Sequence, residues 1–230
     1  MSKVCVCIEG QLKKTKDCGP GIKTHLIDKL NADLFVCVQQ YIEHNNEYIL
    51  DIGTCNKYII YDNPIPNFTT YFDQLCDFFN LDKSLWRKTF ETLLDGNYKL
   101  GFDKPGTCIR RMFNRYVLFN ELKNSDYEWF IITRSDLLFV NDFDLSELKD
   151  DCLNISLVDD LYDNDLIAFH KSNLEKILNY IIHFLNGSVL EKYKSSYNNQ
   201  KIDEQTFFKM NMEISNVNVH FIKKLWNLSS

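Results

Sequence analysis

The stretch YEWFIITRSDLLFV, residues 127–140, decides how the rest of the chain is read. Two apolar runs, WFII and LLFV, flank Thr133, Arg134, Ser135 and Asp136. A continuous apolar run bounded by polar residues is what a strand covered on both faces looks like. In an open α/β sheet, ligands bind in the crevice outside the carboxyl ends of the strands, so the tetrad predicts a strand that stops at a binding rim. A carboxylate there can hold a divalent cation whose other sites take diphosphate oxygens, while a nearby arginine neutralises the remaining phosphate charge. The same spacing fits a plain Arg134–Asp136 salt bridge or a cap on the next turn equally well.

Working outward, residues 4–8 form a β-branched and Cys-rich run closed by Glu9-Gly10, which reads as a buried first strand. Ile22, Leu26, Ile27 and Leu30 recur at helical spacing after Pro20-Gly21, DLFVCV at 33–38 is a second strand, and KYIIY at 57–61 a third, stopped by Asp62-Asn63-Pro64. Strand, helix, strand opens a parallel sheet, so the expected fold is α/β: a three-layer α/β/α sandwich with a mostly parallel, Rossmann-like nucleotide-binding sheet.

Two helices are expected between 68 and 94, and a loop at 101–107 precedes a third with an apolar stripe of Ile109, Met112, Phe113, Tyr116 and Val117. That stripe leaves Arg110, Arg111, Asn114 and Arg115 as a polar face. Strands follow at 152–160 and 165–169. Ser172 and Glu175 have the spacing of a capping box ahead of Leu174, Ile177, Leu178, Ile181 and Ile182. The polar stretch at 191–201 breaks the pattern and reads as a loop; a helix at about 203–214 and the strand NVNVHFI close the chain. With no internal repeat and no linker, the expectation is a single domain over 1–230, in which 1–140 is a donor-nucleotide half and 141–230 an acceptor half.

Composition narrows the function. Of 230 residues, 45% are hydrophobic and 14% aromatic, and only 4 are Pro, which excludes a disordered chain. The net charge of -6 comes without any basic block, which argues against tracking a nucleic-acid backbone. The 8 cysteines form no C-x-x-C pair and sit in runs such as VCVCI, as reduced core thiols do. No signal peptide and no run of roughly 20 apolar residues stands out, so a cytoplasmic protein without a transmembrane segment is expected. The N-x-S/T matches at Asn67, Asn154, Asn186 and Asn227 read as chance in an Asn-rich chain. There is no G-x-S-x-G, Walker A or G-x-G-x-x-G sequence.

The opening stretch resembles the central strand of GT-A fold glycosyltransferases, which ends in a D-x-D whose acidic residues bind Mn or Mg with the sugar nucleotide. In a group of small bacterial and viral members it takes the form YDW-hydrophobic-hydrophobic-R-x-RPDL, and here it stands as YEWFIITRSDL. VCVCIEGQLKK is similar to that group's first strand and loop, LNADLFVCV to its second strand, GTCIRRMFNRYVLFNEL to the helix leading into the metal strand, and DLYDNDLIAFHKS to the segment after it. The match runs, with gaps, over about residues 3–172. Two departures stand out: Arg134 replaces the first Asp of the D-x-D, and Lys13 replaces an Arg of the first loop.

The resemblance implies a UDP- or GDP-sugar donor, a glycan or other hydroxyl acceptor, and Mn2+ or Mg2+ as cofactor. Asp136 would be the metal ligand. Gly10, Gln11, Lys13, Arg110, Arg111 and Arg134 would border the donor, with the arginines offsetting leaving-group charge. In the cluster Asp159, Asp160, Asp163 and Asp165, which is as readily a set of solvated loop acids, Asp165 with Asp163 would be the acceptor-side carboxylates. A non-catalytic sugar-nucleotide or glycan-binding module of the same ancestry is the alternative, which the missing first Asp permits. Glu204 reads as a first-turn helix charge, and His170 and His220 as hydrogen-bonded structural residues.

Overall fold

The computed structural model describes residues 3–10, 12, 14–39, 52–61, 68–93, 107–158, 161–197 and 202–228. Among these, seven strands form one sheet in the order β3-β2-β1-β4-β7-β6-β8. β1 (Val4–Gly10), β2 (Asp33–Gln39), β3 (Lys57–Tyr61) and β4 (Trp129–Thr133) run parallel. β7 (Leu161–His170) is antiparallel to both β4 and β6 (Cys152–Val158), and β8 (Asn218–Phe221) lies parallel to β6. The chain steps from β1 outward to β3, then returns to β1's other flank to lay down β4. This reversal creates a switch point between the carboxyl ends of β1 and β4, where Ile8 pairs with Thr133.

Alternation along each strand sends side chains into two separate cores. Cys5, Cys7, Phe130 and Ile132 face the larger one, built with α2 (Phe68–Phe79), α3 (Lys83–Leu93), α4 (Thr107–Leu122), α5 (Leu174–Leu178), α6 (Ile181–Leu185), α7 (Ser188–Ser196) and α8 (Glu204–Ile214). Aromatic rings fill it: Phe72 stacks on Phe113 at 5.4 Å and Phe130 on Phe169 at 5.6 Å, pairs worth about 0.5–1.5 kcal/mol each beyond their burial. Val4, Val6, Ile8, Trp129 and Ile131 face the smaller core. It is closed by α1 (Thr15–Ile22) and by a two-stranded sheet of β5 (Leu137–Phe139) and β9 (Trp226–Leu228). Helices therefore lie on both faces of a mostly parallel sheet, as the strand and helix runs predicted, and the sheet spans both halves of the chain.

Several local expectations are corrected. The strand stops at Thr133 as the tetrad predicted; what differs is that, beyond a turn at Ser135-Asp136, LLF leaves to pair with β9. α1 starts before Pro20-Gly21, at Thr15, and beyond Pro20, which donates no N–H, the helix widens into a π turn over Lys23–Asp28. Gly21 sits where α1 crosses β5, and a Cβ there would stand 2.8 Å from the Phe139 carbonyl. The Ser172/Glu175 capping box does not form. His170 Nδ1 instead accepts from the Ser172 N–H ahead of a short 3₁₀ turn, and the helix breaks at Asn179-Tyr180 into α5 and α6. The polar stretch at 191–201 is helical to Ser196 because Val189, Leu190 and Tyr193 give α7 a buried side; 198–201 lie outside the described residues. Asn154 is fully buried, its amide bonded to the backbone of Lys149, Cys152 and Ala168, so that sequon is closed to glycosylation in the folded chain.

Candidate functional site

The switch point gathers charge. β1 is apolar to Ile8 and then places Glu9 on the same side as Cys5 and Cys7, toward α4. Gly10 follows with φ +92, a conformation that favours glycine, and a Cβ on it would approach the Asn114 amide at 4.0 Å. On α4 the polar face Arg111, Asn114 and Arg115 turns inward to this rim instead of toward solvent: Arg115 is fully buried and Asn114 nearly so. Arg110 is half-buried, about 100° around the helix from Arg111.

Arg115 donates to Glu9 Oε1 at 3.3 Å and to the Asn164 carbonyl at 3.2 Å, with its guanidinium 4.5 Å from the Phe208 ring centre. Arg111 is the hub. It pairs with Glu9 at 3.5 Å, with Asp165 at 3.3 Å and with Glu204 at the start of α8 at 2.5 Å, and it donates to Asn164 Oδ1. Burial works against its charge, yet Glu204, Glu9 and Asp165 together carry its pKa above the ordinary arginine value.

Arg134 closes the outer side of the cluster. It forks onto Asp136, Nε to Oδ1 at 2.8 Å and Nη2 to Oδ2 at 2.7 Å, and its Nη1 reaches Asp165 Oδ1 at 3.0 Å. Its side chain is 32% exposed, against 13% for Arg111 and 0% for Arg115. Burial alone would raise the Asp165 pKa, but the charges of Arg111 and Arg134 outweigh it and hold the carboxyl below its usual value. Asp165 is therefore ionised at neutral pH, an acceptor of hydrogen bonds and a weak base.

Asp163 does not join this group. A β-bulge between Ile155 and Ser156 turns it to the opposite face, where Ser156 Oγ donates to it at 3.1 Å and Lys224 pairs with it at 3.2 Å. Its other oxygen accepts from the Asp165 N–H at 3.4 Å, so it buttresses the turn that aims Asp165. Gln11, Lys13, Asp159 and Asp160 lie outside the described residues. His220 is engaged by the Glu147 carbonyl and His170 by Ser172, in keeping with structural roles.

Glu9, Asn164 and the burial of Arg115 are what the sequence reading left out. Glu9 had one signal, a carboxylate at the end of an otherwise apolar strand. Asn164, between two aspartates in a polar run, had none. Buried polar atoms without a protein partner among the described residues concentrate here: Glu9 Oε2, Asn114 Oδ1, Arg115 Nε and Nη1, Asn164 Nδ2 and, across the sheet, Thr133 Oγ1. Such atoms are costly to leave unsatisfied and mark this spot as built for polar contacts.

Among the described residues, the side chains as placed do not fit a divalent cation. Asp136 is the carboxylate expected to hold one, and both its oxygens are taken by Arg134. Among the described residues, no three His, Cys, Asp or Glu side chains converge as a metal-binding group. No helix among them is long and apolar enough to cross a membrane. No family model matches the chain, and no curated protein matches it.

Proposed function

We propose that the chain is a glycosyltransferase that moves a sugar from a nucleoside-diphosphate sugar to a hydroxyl acceptor. The observation that carries this reading is the position of Arg111, Arg134, Asp136 and Asp165 at the carboxyl-end switch point between β1 and β4, where open α/β sheets bind nucleotides. In such a transfer the bond from the anomeric carbon to the diphosphate oxygen breaks, its electron pair leaves with the diphosphate, and the acceptor oxygen bonds to the carbon. Guanidinium groups aimed at the departing oxygens stabilise the charge as it develops. Asp165, ionised and fixed by two arginines, orients the acceptor by accepting its hydroxyl hydrogen bond, and its carboxylate takes the hydroxyl proton as the new bond forms.

Incubating the protein with a panel of UDP- and GDP-sugars, with and without acceptor sugars, tests the proposal through released nucleoside diphosphate. Release is expected with at least one donor, and Arg134→Ala lowers it by about 10²-fold, the usual cost of removing one charge-stabilising donor. No release from any donor counts against an enzyme.

One observation favours a second reading, a non-catalytic sugar-nucleotide or glycan-binding module. Arg111, Arg115 and Arg134 are each already paired with carboxylates, so the cluster also stands as a self-neutralised support. A module of this kind shows melting-temperature shifts with the same panel and no turnover.

A further inference from the structure

The contacts of Arg134 lead one step further, resting on the reading that a nucleoside diphosphate binds at this rim. Three carboxylate oxygens surround its guanidinium: Asp136 Oδ1 and Oδ2 at 2.8 and 2.7 Å, and Asp165 Oδ1 at 3.0 Å. That is the arrangement in which two carboxylates share one cation, and the cation is the side chain. A manganese or magnesium ion would need oxygens at about 2.0–2.2 Å, and it would have to expel the guanidinium from both partners first. Arginine cannot lose its proton to make way. It is also covered on the inner side, where Arg111 holds the same Asp165 oxygen at 3.3 Å.

We propose that Arg134 is the resident cation of this site, and that the chain binds a nucleoside diphosphate without a divalent ion. A guanidinium carries five N–H donors, and three are engaged here. The remaining two lie on a side chain that is one-third exposed, so they can take phosphate oxygens while Asp136 keeps its fork and fixes the plane of the group. Asp136 is then a positioning residue for Arg134 and not a metal ligand.

The test has two arms on the full chain. Titration calorimetry with UDP and GDP, in excess EDTA and in excess manganese, is expected to give dissociation constants within about twofold of each other; tightening by manganese of about tenfold or more overturns the proposal. In the second arm, electron paramagnetic resonance of manganese alone follows free ion over wild type, Asp136→Asn and Arg134→Ala. Wild type and Asp136→Asn are expected to leave equal signal, and Arg134→Ala to deplete it, because the vacated carboxylates then take the ion. Uptake by wild type that Asp136→Asn abolishes overturns the proposal, as does an Arg134→Ala protein that keeps its native melting profile and takes up none. If neither nucleotide binds in either buffer, the functional reading falls, and the manganese arm still decides whether Arg134 fills a cation's place.

Discussion

Arg115 carries a full charge at a position with no exposure, held by Glu9, the Asn164 carbonyl and the faces of Phe208 and Tyr180. Removing Arg115 leaves the buried Glu9 with only its longer contact to Arg111, so Arg115→Ala is expected to lower unfolding free energy by about 3 kcal/mol in urea denaturation. Asp165 makes a pH-dependent contribution whose sign follows from its depressed pKa: it is complete above the unfolded carboxyl value and vanishes as pH falls through the folded one. The stability gap between wild type and Asp165→Asn should therefore hold steady from pH 7 to about 5 and close below about 4, which denaturation midpoints across that range would reveal. At this scale the sequence disclosed which residues were polar amid apolar runs, and so Arg134 and Asp136, while Asp165 was singled out from its acidic cluster by the family resemblance alone. It did not disclose who their partners were. Arg111 meets Glu9, 102 positions away by subtraction, and Glu204, 93 away, and no local spacing encodes such encounters. The Arg134–Asp136 pair, two residues apart, was the one contact that spacing could suggest.

Elements were legible where a periodicity was long enough to speak for itself. The strands buried on both faces showed as unbroken apolar runs, and the amphipathic helices at 68–79, 83–93 and 107–122 as stripes. Errors gathered where short polar segments carry a single buried flank, as in α7, or where a cap had competitors, as at Ser172 beside His170. The start of α1 was masked by Pro20-Gly21, which reads as a break although Gly21 is a crossing point. Gly21→Ala should push α1 off the Phe139 backbone and cost about 1–3 kcal/mol, seen as a lower thermal midpoint; a variant as stable as wild type would show that β5 yields freely.

Across the whole molecule, the cysteines behave as core. Cys5, Cys7, Cys18, Cys37, Cys76, Cys108 and Cys152 are buried and only Cys55 is partly exposed. Burial lifts the Cys7, Cys37 and Cys108 thiols well above their ordinary value, so none is a nucleophile at neutral pH. Ellman's reagent should find at most one thiol, reacting slowly, in native protein and all 8 after denaturation. The apolar runs around the cysteines foretold this, as the alternation of strand and helix patterns foretold the layered α/β class. Strand order was not readable, because apolar runs declare that a strand is buried and leave its neighbours unnamed.

The placement of β7 between β4 and β6 has a consequence for how the chain assembles as it emerges from a ribosome. β6 is made before β7 and has no partner among the strands already synthesised, since its neighbours are β7 and β8. It must wait for the chain to double back. β6 and β7 pair as an antiparallel hairpin whose β7 edge lies on β4, so Asp165 stands opposite Arg134 only once β7 is paired with β4. A nascent chain halted short of residue 165 would carry Arg111 and Arg134 with two of their counter-charges, Asp165 and Glu204, still unmade.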